Sequence, residues 1–194
     1  MATEHETRSE RPAPLFHVVL VEPEIPNNTG NIGRTCVAFA SALHLIHPLG
    51  FDTSEKACRR AGLDYWPRLD VRHHESHAAY VAAARPARAW MFSGLAEFAT
   101  PAGPARPRPM FEASFAPGDH LVFGKETKGL PTDLLAQDPA RVLRFPMVPG
   151  ERGLNLATAV CAALTEAIRQ SLAAGAVGLD ERGNLDLASV ARGG

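Results

Sequence analysis

The sequence predicts an α/β fold, a parallel sheet flanked by helices, and three observations support this prediction. Most apolar runs are short and lack clean alternation, as is typical of strands buried on both faces of a parallel sheet. Segments with helical features lie between these runs, which is the pattern of βαβ units. Polar loops rich in Pro, Gly and Asn follow three of the runs, and open α/β sheets bind ligands at the carboxyl ends of their strands.

The predicted strands cover residues 17–21, 43–46, 70–72, 89–92, 120–123 and 142–145. A turn dense in Pro and Asn follows the first strand. It is expected to hold one shape, because Pro fixes φ while Asn and Gly accept unusual backbone angles. A short helix then begins, with Arg34 one turn inside it.

Three further helices are predicted from capping residues and spacing. The box at Asp52 opens a helix that ends near Gly62, and Ser76 caps a helix over residues 77–84. The longest helix covers residues 155–172 and carries an apolar stripe at i, i+4 spacing. This stripe consists of Leu156, Val160, Leu164 and Ile168.

A single domain is predicted over residues 15–172, because 194 residues suffice for one domain with a sizeable core. Residues 1–14 are expected to form a flexible lead, and residues 173–194, rich in Gly, Ala and charge, a flexible tail. The Pro-rich segment 100–109 is predicted to be either a surface loop or an extended excursion.

Composition predicts a cytoplasmic protein with no membrane partner. No run approaches the ~18 apolar residues of a membrane span, and the N-terminus has no apolar signal-peptide core. Three separated cysteines, Cys36, Cys58 and Cys161, favour neither a disulfide framework nor a zinc site. A net charge of −1 argues against binding of nucleic acid by bulk electrostatics, so that local arginine patches matter more.

The common nucleotide, metal and hydrolase motifs are absent from the sequence. Gly118 and Gly124 have five residues between them where a phosphate-binding P-loop has four, and Glu126 follows Lys125 in place of Ser or Thr. There is no G-x-G-x-x-G dinucleotide motif and no G-x-S-x-G elbow. His73 and His77 would share a helical face but lack a third ligand nearby, so no metal is expected.

The polar residues of the three loops form a candidate site around glycines and prolines. They are Asn28, Arg34, Glu126, Arg152 and Asn155. Stiff loops with exposed N–H and C=O groups suit the recognition of an adenine edge and of ribose hydroxyls. A structural explanation stays open: the two asparagines are also typical turn and cap residues, and the glutamate is also a typical lysine partner.

The same loops resemble the three motifs of the SPOUT (α/β-knot) RNA methyltransferases. The matching segments are residues 22–34, 123–131 and 145–156. Residues 60–65 and 72–74 resemble the narrower branch that methylates the 2′-hydroxyl of the tRNA wobble nucleotide, position 34. The resemblance covers about residues 16 to 172, with its motifs in order.

The resemblance implies an enzyme that uses S-adenosylmethionine, yields S-adenosylhomocysteine and needs no metal. It also implies a C-terminal deep trefoil knot and a homodimer with parts of both subunits at each site. The expected RNA partner is the anticodon stem-loop of tRNA. Cofactor contacts map onto Phe92, Gly124, Phe145, Gly153 and Leu154. Catalytic and RNA-side residues map onto Asn28, Arg34, Glu126 and Asn155.

Several residues extend or qualify the resemblance. The candidate phosphate contacts are Arg59, Arg60, Arg68, Arg72, Arg106 and Arg108. Gly153 and Ala157 each stand where the family usually has serine, and Thr165 stands where the wobble branch often has tyrosine.

Arg34 is expected to stabilise the developing alkoxide, since guanidinium keeps its own proton below pH ~12. The proton of the ribose hydroxyl would leave to water or Glu126.

Two alternative functions remain open at this point. One is a 2′-O-methyltransferase that acts at another position of tRNA or rRNA. The other is a non-catalytic, knotted RNA-binding protein, which the glycine at position 153 keeps in consideration.

Overall fold

The computed structural model describes residues 13–60, 62–151 and 153–187. In chain order the strands are β1 (His17–Val21), β2 (Ala42–Ile46), β3 (Val71–His74), β4 (Ala89–Phe92), β5 (Phe98–Thr100), β6 (Gly103–Ala105), β7 (Arg108–Pro109), β8 (His120–Phe123), β9 (Val142–Arg144), β10 (Gly178–Leu179) and β11 (Leu185–Asp186). Seven of them form one parallel sheet in the order β3-β2-β1-β8-β4-β9-β7. Two antiparallel hairpins, β5–β6 and β10–β11, lie outside it.

Helices cover both faces of the sheet, as the fold prediction requires. They are α1 (Pro26–Ala38), α2 (Glu55–Arg60), α3 (His77–Ala84), α4 (Thr132–Leu135) and α5 (Leu156–Ala173). Side chains of α1 and α5, such as Ile32 and Leu164, pack with Val18 and Leu20 of β1 on one face. The opposite face packs against α3 and α4. The prediction of a parallel sheet flanked by helices is therefore confirmed.

The predicted strands and two predicted caps agree with the structure. The strands at 17–21, 89–92 and 120–123 have the predicted bounds, and the other three differ by one or two residues at their ends. Ser76 caps α3 by accepting a hydrogen bond from the Ala79 N–H. Asn155 caps α5 by accepting hydrogen bonds from the N–H groups of Ala157 and Thr158.

The start of α1 corrects the prediction for the Pro- and Asn-rich segment. The helix begins at Pro26, so Arg34 lies more than two turns inside it rather than one. Proline is favoured at the first helical position because its missing N–H would have no partner there. Gly33, although a poor helix former, lets the helix approach the segment that follows α2, where an added Cβ would lie 3.0 Å from Trp66 and 3.1 Å from Leu69.

Three smaller regions also differ from the prediction. Ser54, not Asp52, caps α2, because its Oγ accepts from the Ala57 N–H while Asp52 accepts from the Ser54 N–H. The segment 100–109 contributes to the β5–β6 hairpin and supplies edge strand β7. The predicted flexible tail instead contains the β10–β11 hairpin, and Val177 before it is buried. Residues 1–12 of the predicted lead and residues 188–194 lie outside the described part.

Candidate active site

Four loops meet at one edge of the sheet. Strands β1, β8, β4 and β9 lie side by side and parallel, so the loops that follow them converge. Together with the start of α5 these loops enclose a cavity of about 690 Å³. Its lining includes eight of the residues predicted for the site: Asn28, Phe92, Gly124, Glu126, Phe145, Gly153, Leu154 and Asn155.

A chain of hydrogen bonds joins three of the predicted catalytic residues. The Asn28 Nδ2 donates to Glu126 Oε1 over 2.9 Å, and the Asn155 Nδ2 donates to Asn28 Oδ1 over 2.9 Å. The Glu126 carboxylate also accepts from the backbone N–H groups of Glu24 and Ile25. Because both of its oxygens are engaged, Glu126 fixes the amide orientation of Asn28, which in turn fixes that of Asn155.

The loops after β1 and β8 hold each other by reciprocal hydrogen bonds that the sequence analysis missed. The Glu24 carboxylate accepts from the N–H and the hydroxyl of Thr127, while Glu126 accepts from the Glu24 N–H. The Lys125 Nζ lies 2.6 Å from the Glu22 carboxylate. The sequence has one signal of this pairing: acidic residues follow β1, and acidic and donor residues follow β8. The signal could predict the pairing only once β1 and β8 were known to be neighbours in the sheet.

Two predicted cofactor glycines have different surroundings. At Gly124 an added Cβ would overlap the backbone of Gly129, since the loop after β8 folds back on its own start. At Gly153 an added Cβ would meet nothing within 4 Å. The first position therefore needs glycine for a close backbone approach, whereas the second leaves open space in the cavity wall.

Aromatic rings form an apolar wall of the cavity. Phe92 stacks on Phe123 with ring centroids 4.6 Å apart, and on Phe145 with centroids 5.5 Å apart. Leu154, 44% exposed, lies at the rim of the same cavity. Flat apolar walls beside exposed backbone groups are features of sites that bind a heteroaromatic ring with polar edges.

Arg34 is the predicted catalytic residue that the structure places apart from the others. It does not line the cavity. Its guanidinium lies 4.5 Å from the centroid of the Tyr65 ring and 3.7 Å from the Asp64 carboxylate, and its side chain is 63% exposed. Tyr65 in turn donates a hydrogen bond to the Gly30 carbonyl of α1. Within one chain, Arg34 is thus held on an outer face of α1, not beside Asn28.

The predicted phosphate-binding arginines are dispersed. Arg60 and Arg68 are exposed, while Arg72 pairs with Asp70 at 2.7 Å. Arg106 lies 3.4 Å from Glu97 and Arg108 lies 3.6 Å from Glu112. The Arg59 side chain and all of Arg152 lie outside the described part of the chain.

A buried histidine network outside the cavity joins strands β1, β2, β3 and β8 and was not predicted. His17 Nδ1 is 3.0 Å from His44 Nε2, and His44 Nδ1 is 2.9 Å from His74 Nε2. His120 Nδ1 is 2.7 Å from the Tyr80 hydroxyl. Burial, with a contribution from nearby Arg72, lowers the pKa values of three of them. They are about 4 for His17, about 2 for His44 and about 3 for His120.

This network is a poor metal site despite the proximity of its nitrogens. Ligand atoms of His17, His44 and His120 lie within 4.8 Å of one another. However, the His17 and His120 rings are stacked, 4.2 Å apart and inclined by 3°. A metal lies close to the plane of each imidazole that binds it, and two stacked rings have no such shared point. His73 and His77 do not share a face, since the first is in β3 and the second begins α3.

Comparisons with known proteins place these features in a family. Residues 15–165 match the SpoU rRNA Methylase family. A tRNA (cytidine(34)-2′-O)-methyltransferase of Burkholderia ambifaria is 45% identical over 158 residues, which are 81% of this chain and 96% of that protein. A solved structure concerned with the 2-OH methylation of C/U34 on tRNA is 46% identical, with a TM-score of 0.67, covering 80% of this chain and 95% of that one.

A more distant structure shares the fold. The SpoU methyltransferase AviRb from Streptomyces viridochromogenes, solved in complex with AdoMet, matches with a TM-score of 0.66. The match covers 89% of this chain and 66% of that one at 22% identity, so this likeness concerns the fold alone.

Proposed function

The chain belongs to the SpoU rRNA methylase family, and on this basis we propose that it methylates the 2′-hydroxyl of the tRNA wobble nucleotide. The methyl group comes from S-adenosylmethionine, and the acceptor is a cytidine or a modified uridine at position 34. The observation that supports this most directly is the hydrogen-bonded chain of Glu126, Asn28 and Asn155 at the wall of the large cavity.

The cavity residues fit S-adenosylmethionine. The cavity volume of about 690 Å³ lies within the ~300–1,000 Å³ usual for small-molecule sites, and the Phe92 and Phe145 rings offer an apolar face to an adenine. We propose that Gly124, Gly153 and Leu154 contact the cofactor largely through their backbone. Bound S-adenosylmethionine would supply an electrophilic methyl group and leave as S-adenosylhomocysteine.

The protein's own contribution is to hold the ribose and to stabilise charge. Asn28 and Asn155 present oriented amides, since each is fixed by a hydrogen bond to its neighbour. Holding two reacting atoms in line can remove ~7 kcal/mol or more of an activation barrier. Glu126 already accepts three hydrogen bonds from this chain, which favours a positioning role, and we propose that the hydroxyl proton leaves to water.

Arg34 gives the reason to propose a homodimer. An arginine outside its own cavity can act at a site only if another copy brings it there. We propose that Arg34 of the partner subunit approaches each cavity and stabilises the alkoxide that develops at the ribose oxygen. The guanidinium retains its proton in this role and can contact the adjoining phosphate through its planar fork.

Family membership also supports proposals about the domain, the knot, the RNA contacts and the cellular location. We propose that residues 15–172 form the methyltransferase domain and that the chain around α5 is threaded as a deep trefoil knot. The anticodon stem-loop would contact exposed arginines such as Arg60 and Arg68. We place the enzyme in the cytoplasm, with tRNA. No described helix is long and apolar enough to cross a membrane.

Mapping of the product tests the proposal. Labelled S-adenosylmethionine and tRNA from cells that lack wobble ribose methylation are incubated with the protein, and the product is mapped by nuclease digestion and mass spectrometry. A 2′-O-methyl group at position 34 is expected. A methyl group elsewhere in tRNA, or in rRNA supplied in a parallel reaction, would replace the wobble assignment, whereas cofactor and RNA binding without transfer to either would identify a non-catalytic RNA-binding protein.

A further inference from the structure

A second, smaller cavity lies on the other side of the first turns of α1. It has a volume of about 240 Å³ and is separate in its lining from the large cavity. One wall comes from α1, including Asn27, Thr29 and Asn31, and the other from the segment around α2, including Phe51, Asp52 and Trp66. Asn28, which lines the large cavity, lies between Asn27 and Thr29 in sequence, so the two cavities lie against different faces of α1.

The wall of the small cavity includes Thr29, whose hydroxyl is fully buried and lacks a partner in the described part of the chain. The Thr29 side chain is 1% exposed, and its hydroxyl is the buried side-chain oxygen without a hydrogen-bond partner among the described residues. An unpaired buried hydroxyl costs roughly 1–3 kcal/mol, so such groups in native proteins call for an explanation. Asn27 and Asn31 add exposed amides one helical turn apart on the same wall.

The lining favours a nucleobase over a phosphate. Phe51 supplies a partly exposed flat face beside the buried Trp66, and base–aromatic stacking contributes ~1–3 kcal/mol for each base. Hydrogen bonds from the Ser54 N–H and hydroxyl lower the pKa of the Asp52 carboxyl, which therefore stays charged and repels phosphate. A carboxylate can instead accept from the exocyclic amine of cytosine. The volume, below the ~300 Å³ of ordinary ligand sites, suits one ring.

The position of the cavity connects it with Arg34. Asn27, Asn31 and Arg34 follow one another at i, i+4 and i+7, so they share one face of α1. The opposing wall also extends from the cavity to Arg34. Trp66 lines the cavity, and the ring of its neighbour Tyr65 contacts the Arg34 guanidinium. A polynucleotide along this face would meet the cavity and the arginine together.

We propose that the small cavity receives one nucleobase of the substrate RNA, either that of the methylated nucleotide or that of its neighbour in the anticodon loop. The inference rests on the proposed function. Asn27 and Asn31 read the edge of the base, and the Phe51 ring stacks on its face. The cavity thereby acts as a specificity site for the methyl transfer.

Two variants with matched controls test this through the KM for RNA. Asn31→Ala removes an exposed amide of the cavity wall and should raise the KM for tRNA about fivefold. Phe51→Leu keeps apolar bulk but loses the flat face and should raise this KM about tenfold. Neither should change the KM for S-adenosylmethionine. Thr35→Val on the same helix, which loses an internal bond to the Asn31 carbonyl, and Phe111→Leu, at a 65% exposed phenylalanine, should leave both KM values unchanged.

Photo-crosslinking provides a readout that does not depend on turnover. Anticodon stem-loop RNAs with 5-iodouridine at one loop position at a time are irradiated with the full-length protein, and crosslinked peptides are identified by mass spectrometry. Crosslinks at Phe51 or Trp66 are expected from one position, and that position shows which base enters.

Two results separate this inference from the proposed function. Wild-type methyl transfer with unchanged KM values in both cavity variants, or crosslinks only outside the cavity, would overturn the inference alone. No methyl transfer by the wild type would overturn the proposed function, while a crosslink at Trp66 would still support base binding.

Discussion

The Asn155 Nδ2 donates a hydrogen bond to the Asn28 Oδ1 over 2.9 Å, although the two residues are 127 positions apart in the chain. The same Asn155 side chain uses its oxygen to cap α5. One amide therefore joins the start of α5 to the first turn of α1. The two polar atoms of the Asn155 amide have separate roles, because the oxygen caps the helix and the nitrogen orients Asn28.

Asn155→Asp should separate these two roles. Aspartate is as good an N-cap as asparagine, so the unfolding temperature should stay close to that of the wild type. The donor to Asn28 is lost, and with it the fixed orientation of the Asn28 amide, so kcat should fall about 10- to 100-fold. Asn155→Ala should lose activity and also ~1 kcal/mol of stability. Thermal unfolding and methyl-transfer rates measure both effects, and a fully active Asn155→Asp variant would contradict the assigned role.

Mixed dimers should show whether Arg34 acts across the subunit interface. Arg34→Ala and Asn28→Ala proteins are each expected to be nearly inactive. When they are mixed and allowed to exchange subunits, half of the dimers carry both variants, and one site in each such dimer is intact. Activity should therefore recover to about a quarter of the wild-type value. No recovery, with subunit exchange verified by mass spectrometry, would place Arg34 within its own subunit's site or outside the reaction.

Gly33→Ala should destabilise the protein because the added methyl group has no room. It would lie 3.0 Å from Trp66 and 3.1 Å from Leu69, so α1 and the segment behind it must shift. Overpacking of this kind costs about 1–3 kcal/mol. Gly50→Ala is the matched control, since nothing lies within 4 Å of its added methyl group. The free energies of unfolding in urea compare the two, and equal values would show that the helix does not need this close approach.

The buried histidines should make the fold sensitive to acid. Burial lowers the pKa values of His17 and His120 to about 4 and about 3, so both stay neutral in the folded protein from pH 6.5 down to about pH 4. The unfolded chain binds protons there, with an ordinary pKa of about 6.5, so stability falls as the pH drops below that value. Urea unfolding between pH 8 and pH 5 should give a constant midpoint above pH 7 and a falling one below. A midpoint that stays constant down to pH 5 would contradict a neutral buried network.

The elements of the fold were predictable because their signals are local. Buried parallel strands appear as short apolar runs, and Ser76 and Asn155 are typical cap residues just before apolar helices. The start of α1 was missed because the segment is rich in Asn and Gly, which are poor helix formers. Packing of its glycines against Tyr65 and Trp66 outweighs that local preference.

The site was predictable in its members but not in its connections. Loops at neighbouring strand ends were expected to converge, but the reciprocal bonds between Glu24 and Thr127 depend on which strands are neighbours. The separation of Arg34 from Asn28 depends on which face of α1 each occupies, and that follows from where the helix starts. The histidine network depends on register, since its members lie on different strands of the sheet.

The most direct test of the account compares tRNAs that differ by a single oxygen atom. Ligation can produce otherwise identical tRNAs with a 2′-deoxy sugar at position 34, or at position 33 or 35 as controls. The protein is expected to transfer labelled methyl groups to both controls at rates near that of the unmodified tRNA, and none to the 34-deoxy tRNA. Undiminished transfer to the 34-deoxy tRNA would show that another atom is the acceptor and would contradict the proposed function.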